Sequence, residues 1–127
     1  MTPKVIIVDD IFNTRGALKA LLSERGYNVI GDFEDGVEAL DFFKEENPDL
    51  AILDYNLNSA KNGVAYTGID LMKDMRTIKP TVKIVFISAN AEPAIIKKAI
   101  ANGASDFIGK PFVLSEVLNR IGKVVSK

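Results

Sequence analysis

Five polar side chains stand where short apolar runs end: Asp9 and Asp10 after KVIIV, Asp54 after LAIL, Ser88 after KIVFI, and Lys110 beyond DFI. Three carboxylates drawn together form an oxygen donor set suited to magnesium, which typically takes one or two carboxylates with waters and phosphate oxygens. Such a cation also reverses the mutual raising of pKa among neighbouring carboxylates and so keeps Asp54 ionised. An ionised carboxylate attacks phosphorus to form an aspartyl phosphate. In that chemistry Lys110 neutralises charge on the transferring group, and the Ser88 hydroxyl donates to a phosphoryl oxygen.

Composition narrows the alternatives. The chain has 127 residues, 47% hydrophobic and 26% charged, which fits one domain over 1–127 with an adequate core. A net charge of -1 supplies no basic stripe for nucleic acid. Cysteine and histidine are both absent, so thiolate nucleophiles, disulfides and the commonest zinc ligands and neutral-pH bases are excluded. An apolar run starts at Lys4, leaving no room for a signal peptide, and no stretch reaches the roughly 20 apolar residues that span a bilayer. The expectation is a cytoplasmic protein without membrane contact, whose chain stops where its last helix stops.

For the five side chains to meet, the apolar runs must lie side by side. Lys4–Val8, Leu50–Leu53 and Lys83–Ile87 are nearly continuous apolar segments, as in parallel strands covered on both faces. Residues 27–30 and 106–108 are weaker candidates for the second and fifth strands. Between them the spacing predicts five helices. The first carries Leu18, Leu21 and Leu22 and closes at Gly26. The second opens with a capping box, Asp35 and Glu38, and turns Val37, Leu40 and Phe43 inward. Leu71, Met75 and Ile78 mark a third, ended by Pro80. Pro93 begins a fourth with Ile95, Ala99 and Ile100, and Leu114, Val117, Leu118, Ile121, Val124 and Val125 define the fifth. Alternation of this kind gives an α/β fold, a doubly wound parallel sheet with sites beyond the carboxyl ends of its strands.

These motifs, in this order, resemble the receiver domain of two-component response regulators over essentially the whole chain. The matching pieces are VDD at Val8-Asp9-Asp10, ILD at Ile52-Leu53-Asp54, ISAN at 87–90 and GASDFIGKPF at 103–112. The resemblance implies a flavodoxin-like sheet order 2-1-3-4-5 with five helices on both faces. It implies Asp54 as phosphoacceptor, with Asp9, Asp10, Asp54 and the Asn56 backbone carbonyl around Mg2+. Ser88 and Lys110 sense the phosphoryl group, Phe107 is the aromatic that turns inward on activation, and Lys110-Pro111 is cis. The implied donor is a histidine kinase or phosphotransfer protein. The implied partner face is the fourth helix, fifth strand and fifth helix, presented to a downstream protein or output domain by a monomer or a phosphorylation-dependent dimer. Such a domain is not an enzyme on outside substrates; it catalyses only its own phosphorylation and dephosphorylation.

Each residue also has a plainer reading: Asp10 as a cap of the first helix, Asp9 as a solvated loop acid, Asp54 as a turn residue, Phe107 as core. A phosphatase of the haloacid dehalogenase type needs a second Asp where Asn56 stands, and a flavodoxin-like carrier needs a hydroxyl- and glycine-rich loop where Asp9-Asp10-Ile11-Phe12-Asn13 stands. A receiver-like module working without phosphorylation is the main alternative. One stretch departs from the family pattern. Asn58 replaces the usual proline, and 58–68 (NSAKNGVAYTG) adds roughly half a dozen residues beside the site. It either modulates access of water or donor to Asp54 or is a neutral surface extension.

Overall fold

The near-continuous apolar runs are strands with no solvated face. The computed structural model describes residues 2–126. Its elements in chain order are β1 (Lys4–Val8), α1 (Phe12–Glu24), β2 (Asn28–Phe33), α2 (Gly36–Glu46), β3 (Leu50–Asp54), β4 (Ser59–Lys61), β5 (Val64–Tyr66), α3 (Gly68–Ile78), β6 (Lys83–Ser88), α4 (Pro93–Ala101), β7 (Asp106–Gly109) and α5 (Leu114–Val125). Five strands form one parallel sheet in the order β2-β1-β3-β6-β7. Without the small β4–β5 pair, this is the expected 2-1-3-4-5 order.

The sheet divides the core in two. Ile6, Val8, Leu53 and Phe86 point to the side covered by α2, α3 and α4, where Leu40, Phe43, Leu71, Met72 and Met75 pack. Val5, Ile7, Ile52 and Val85 point the other way, against Leu18 and Leu22 of α1 and Val117 and Ile121 of α5. Alternate residues of one strand thus feed opposite layers, which is why these strands are apolar throughout their interiors.

Some boundaries differ from the sequence reading. The second strand runs Asn28–Phe33 rather than 27–30, because Asp32 and Phe33 extend the ladder to Ile7 and Val8. The third and fourth sheet strands each gain a residue, so Asp54 and Ser88 are terminal strand residues. Half of the α2 capping box forms. Asp35 accepts from the Val37 and Glu38 N–H groups without a return bond from the Glu38 side chain to the Asp35 N–H, and separately Gly36 donates its N–H to Ser59 Oγ at 2.9 Å. Ile78, Ile100 and Leu114 share helical spacing with the buried faces yet are exposed, since each lies at or near the end of its helix. The Lys110-Pro111 bond is cis.

The largest difference is the inserted stretch, which is an ordered hairpin. Asn62 and Gly63 both have positive φ, the geometry a two-residue hairpin turn demands, and Ala60 pairs with Ala65 across it. Tyr66 is buried in the α2–α3 core and its hydroxyl donates to Asp74 at 2.5 Å, with Lys61 3.5 Å from the same carboxylate. The chain then enters α3 through a complete capping box made by Thr67 and Asp70. Tyr66→Phe is expected to cost about 1 kcal/mol in urea unfolding, because Asp74 is exposed enough to rehydrate once the hydroxyl is gone; an unchanged midpoint would show that this bond adds nothing.

Candidate functional site

Parallel strands all present their carboxyl ends to one edge, so β1, β3 and β6 deliver Asp9, Asp54 and Ser88 together. Carboxylate oxygens of Asp9, Asp10 and Asp54 lie within 4.8 Å of one another. Asp9 is fully buried: its Oδ1 accepts from the Ile11 N–H at 2.8 Å and its Oδ2 from Lys110 Nζ at 2.9 Å. It is therefore no solvated loop acid. Asp10 is exposed and caps nothing; α1 starts after Ile11 without a side-chain cap. Neither plainer reading of this pair fits.

Asp54 is 5% exposed, with Oδ1 accepting from the Asn56 N–H at 2.9 Å and Oδ2 3.9 Å from Lys110 Nζ. Burial pushes its carboxyl up to about 6. The Asn56 N–H and Lys110 oppose that shift, while the Asp9 charge and a hydrogen bond with Asp10 add to it. A buried carboxyl pushed up beside further negative charge is what a divalent cation relieves, so the donor set fits one. Asn56 follows in the same turn, which keeps its backbone beside the cluster.

Ser88 is buried, and its Oγ accepts from Asn56 Nδ2 and from the Asn90 N–H, each at 3.0 Å. Two donors occupy both lone pairs of the hydroxyl, which leaves its own hydrogen free for a further acceptor. Lys110 is tied to the same strand end, since its backbone N–H donates to the Ser88 carbonyl at 2.7 Å. The edge thus holds every residue singled out from the sequence except Phe107, which lies within β7 below it. Phe107 is 3% exposed and packs on Tyr55 and Phe86, with ring centroids 5.6 and 6.3 Å away. Its ring is inward in this structure.

Several contributors had no distinguishing signal in the sequence. Tyr55, directly after Asp54, bridges the strand end to the aromatic cluster. The Asn56 side chain holds Ser88. Arg15 sits one helical turn past the acidic pair and donates to the Asp9 carbonyl at 2.7 Å. Gly68 packs so closely that an added Cβ would lie 2.6 Å from the Asp54 carbonyl oxygen, so any larger residue there would displace the Asp54 backbone.

A family model described as the response regulator receiver domain matches residues 5–122. The chain is 37% identical to the chemotaxis protein CheY of Thermotoga maritima over 124 residues, covering 98% of each chain. It is 32% identical to the chemotaxis protein CheY of Bacillus subtilis over 126 residues, covering 99% of this chain and all of that one. Among solved structures, a chain of the CheX-CheY-BeF3-Mg+2 complex from Borrelia burgdorferi superposes with a TM-score of 0.86 at 28% identity, covering 98% of this chain and 90% of that one.

Proposed function

This chain belongs to the response regulator receiver family, and we propose that it accepts a phosphoryl group on Asp54 from a histidine kinase or phosphotransfer protein. The observation that carries the reading is the strand-edge cluster: three carboxylates within 4.8 Å, joined by Lys110 and by a Ser88 hydroxyl whose hydrogen is uncommitted. Asp9, Asp10, Asp54 and the Asn56 backbone carbonyl hold Mg2+, which supplies positive charge to the carboxylates and to the phosphoryl oxygens.

An Asp54 carboxylate oxygen attacks phosphorus as the bond from phosphorus to the donor nitrogen breaks, and the imidazole leaves with that electron pair. Lys110 Nζ offsets charge on the transferred group, and the Ser88 hydroxyl donates to one of its oxygens. For that bond to form, the strand end carrying Ser88 moves toward Asp54, with Phe107 and Tyr55 adjusting in the layer beneath. This is the two-state element through which phosphorylation biases partner binding. Hydrolysis of the aspartyl phosphate resets the domain, which acts on no outside substrate.

Two exposed apolar surfaces suit the two kinds of partner. Ile11 and Phe12 follow the acidic pair at the start of α1, and Val113 and Leu114 follow Lys110 at the start of α5; all four are exposed, Phe12 at 76%. A donor protein docks there. Along one face of α4 an open apolar surface, formed by Pro93, Ala94, Ile96, Lys97, Ile100 and Ala101 of that helix alone, receives the downstream partner. The test is incubation with acetyl phosphate and MgCl2, read on a phosphate-affinity gel. A shifted band that EDTA abolishes is expected; no band from folded protein would overturn the phosphoacceptor reading in favour of a module that works without phosphorylation.

A further inference from the structure

We infer that Arg15 is a positioning residue for the cation-binding turn between β1 and α1, an inference that rests on the phosphoacceptor reading above. The Arg15 side chain is only 12% exposed, an expensive placement for a guanidinium unless its donors are committed. One donor, Nη1, goes to the Asp9 main-chain carbonyl at 2.7 Å. Another, Nε, goes to Asp32 Oδ2 at 3.2 Å, on the neighbouring strand β2, while Lys19 approaches the other Asp32 oxygen at 3.4 Å.

The Asp9 carbonyl needs such a donor. The sheet ladder reaches this residue through its N–H, which donates to the Phe33 carbonyl at 2.9 Å, but β1 ends at Val8. Arg15 takes up the carbonyl beyond the ladder's end and so fixes the plane of the Asp9–Asp10 peptide. Asp9 has two further anchors of its own, Ile11 and Lys110. Asp10 has neither cap nor ladder bond, so apart from its side-chain contact with Asp54 it takes its place from the peptide plane that Arg15 holds.

The charges matter as well. Arg15 and Lys19 together neutralise Asp32, which would otherwise be a further carboxylate near an already crowded cluster. A planar, forked cation suits simultaneous bonds to the Asp9 carbonyl, just past the end of β1, and a carboxylate on β2. Arg15 does this without competing for the oxygens that face the ion.

The test is a calorimetric titration with MgCl2, repeated with MnCl2, on wild type, Arg15→Ala, Arg15→Gln and Asp32→Asn. Arg15→Ala is expected to weaken binding about 10-fold, the low end for groups that orient metal ligands. Asp32→Asn keeps the bond to Asp9 and is expected to cost about 2- to 3-fold on the same reasoning, with Arg15→Gln in between. Phosphorylation by acetyl phosphate should slow at low Mg2+ and recover to the wild-type rate at saturation, which a general loss of structure would not produce. A folded Arg15→Ala with wild-type affinity, or one whose only change is a lower Tm, overturns the inference. If Arg15→Ala does not fold, equal affinities in Arg15→Gln, Asp32→Asn and wild type overturn it. A wild type that binds neither ion would instead overturn the phosphoacceptor reading itself.

Discussion

Asp54→Asn is expected to abolish the phosphorylated band and, in metal-free buffer, to make the protein harder to unfold. The first effect follows from loss of the nucleophilic oxygen. The second follows from the Asp54 carboxyl being held up to about 6 by burial, with Asp9 and Asp10 adding to the shift. Below the ordinary carboxylate range both folded and unfolded chains keep the proton, and no penalty exists. As pH rises from about 4 to about 6 the unfolded chain ionises first, so stability is lost through that window and the loss is complete above it. Asparagine removes the titration while its amide oxygen can still accept from the Asn56 N–H. Urea unfolding in EDTA should therefore find Asp54→Asn more stable at pH 7 by about 2–3 kcal/mol, with the gap closing near pH 4. Adding MgCl2 should raise the wild-type midpoint more than that of the variant. A pH-independent gap would refute the electrostatic origin.

Lys110→Met is expected to act in the opposite direction on stability. The substitution keeps most of the aliphatic stem but removes the cation 2.9 Å from a carboxylate with no exposed surface. Asp9 keeps the Ile11 N–H yet loses its only ion-pair partner among the described residues, and an uncompensated buried charge costs roughly 3 kcal/mol. Urea unfolding in EDTA measures this directly. Magnesium should restore part of the loss, because an ion beside Asp9 replaces the missing charge. If the proposed reaction holds, the rate with acetyl phosphate should still fall about 100-fold at saturating Mg2+, since among the described residues Lys110 alone pairs with Asp9 and Asp54. Unchanged stability in EDTA would mean that the Asp9 pair is supported chiefly by the backbone.

The two variants separate roles that the geometry brings within 4 Å of each other. Burial disfavours the Asp54 anion in the metal-free fold, whereas Lys110 pairs with buried Asp9 and, in the proposed reaction, offsets charge on the phosphoryl group. A single network thus carries both a strained member and its counterweight.

Much of this was legible in the residues themselves. The runs at 4–8, 50–53 and 83–87 declare buried parallel strands because they are apolar at every position past an opening Lys4 or Lys83, and a parallel sheet places all their carboxyl ends at one edge. That alone gathers Asp9, Asp10, Asp54 and Ser88, with Lys110 following the last strand. From the sequence the hairpin reads only as an inserted loop: Asn62-Gly63 is a turn signal, but three-residue strands carry too little periodicity to stand out from a loop.

What the tertiary structure alone decided is the company each side chain keeps. Lys110 and Asp9 are 101 positions apart, Asn56 and Ser88 are 32 apart, and no local pattern fixes which oxygen faces which nitrogen. Sequence spacing determines the edge on which a residue emerges, because strand and helix periods are local properties of the backbone. Burial of Asp9, exposure of Asp10, the free hydrogen of Ser88 and the reach of Arg15 to the Asp9 carbonyl depend on packing between distant segments, which is settled only when the layers close.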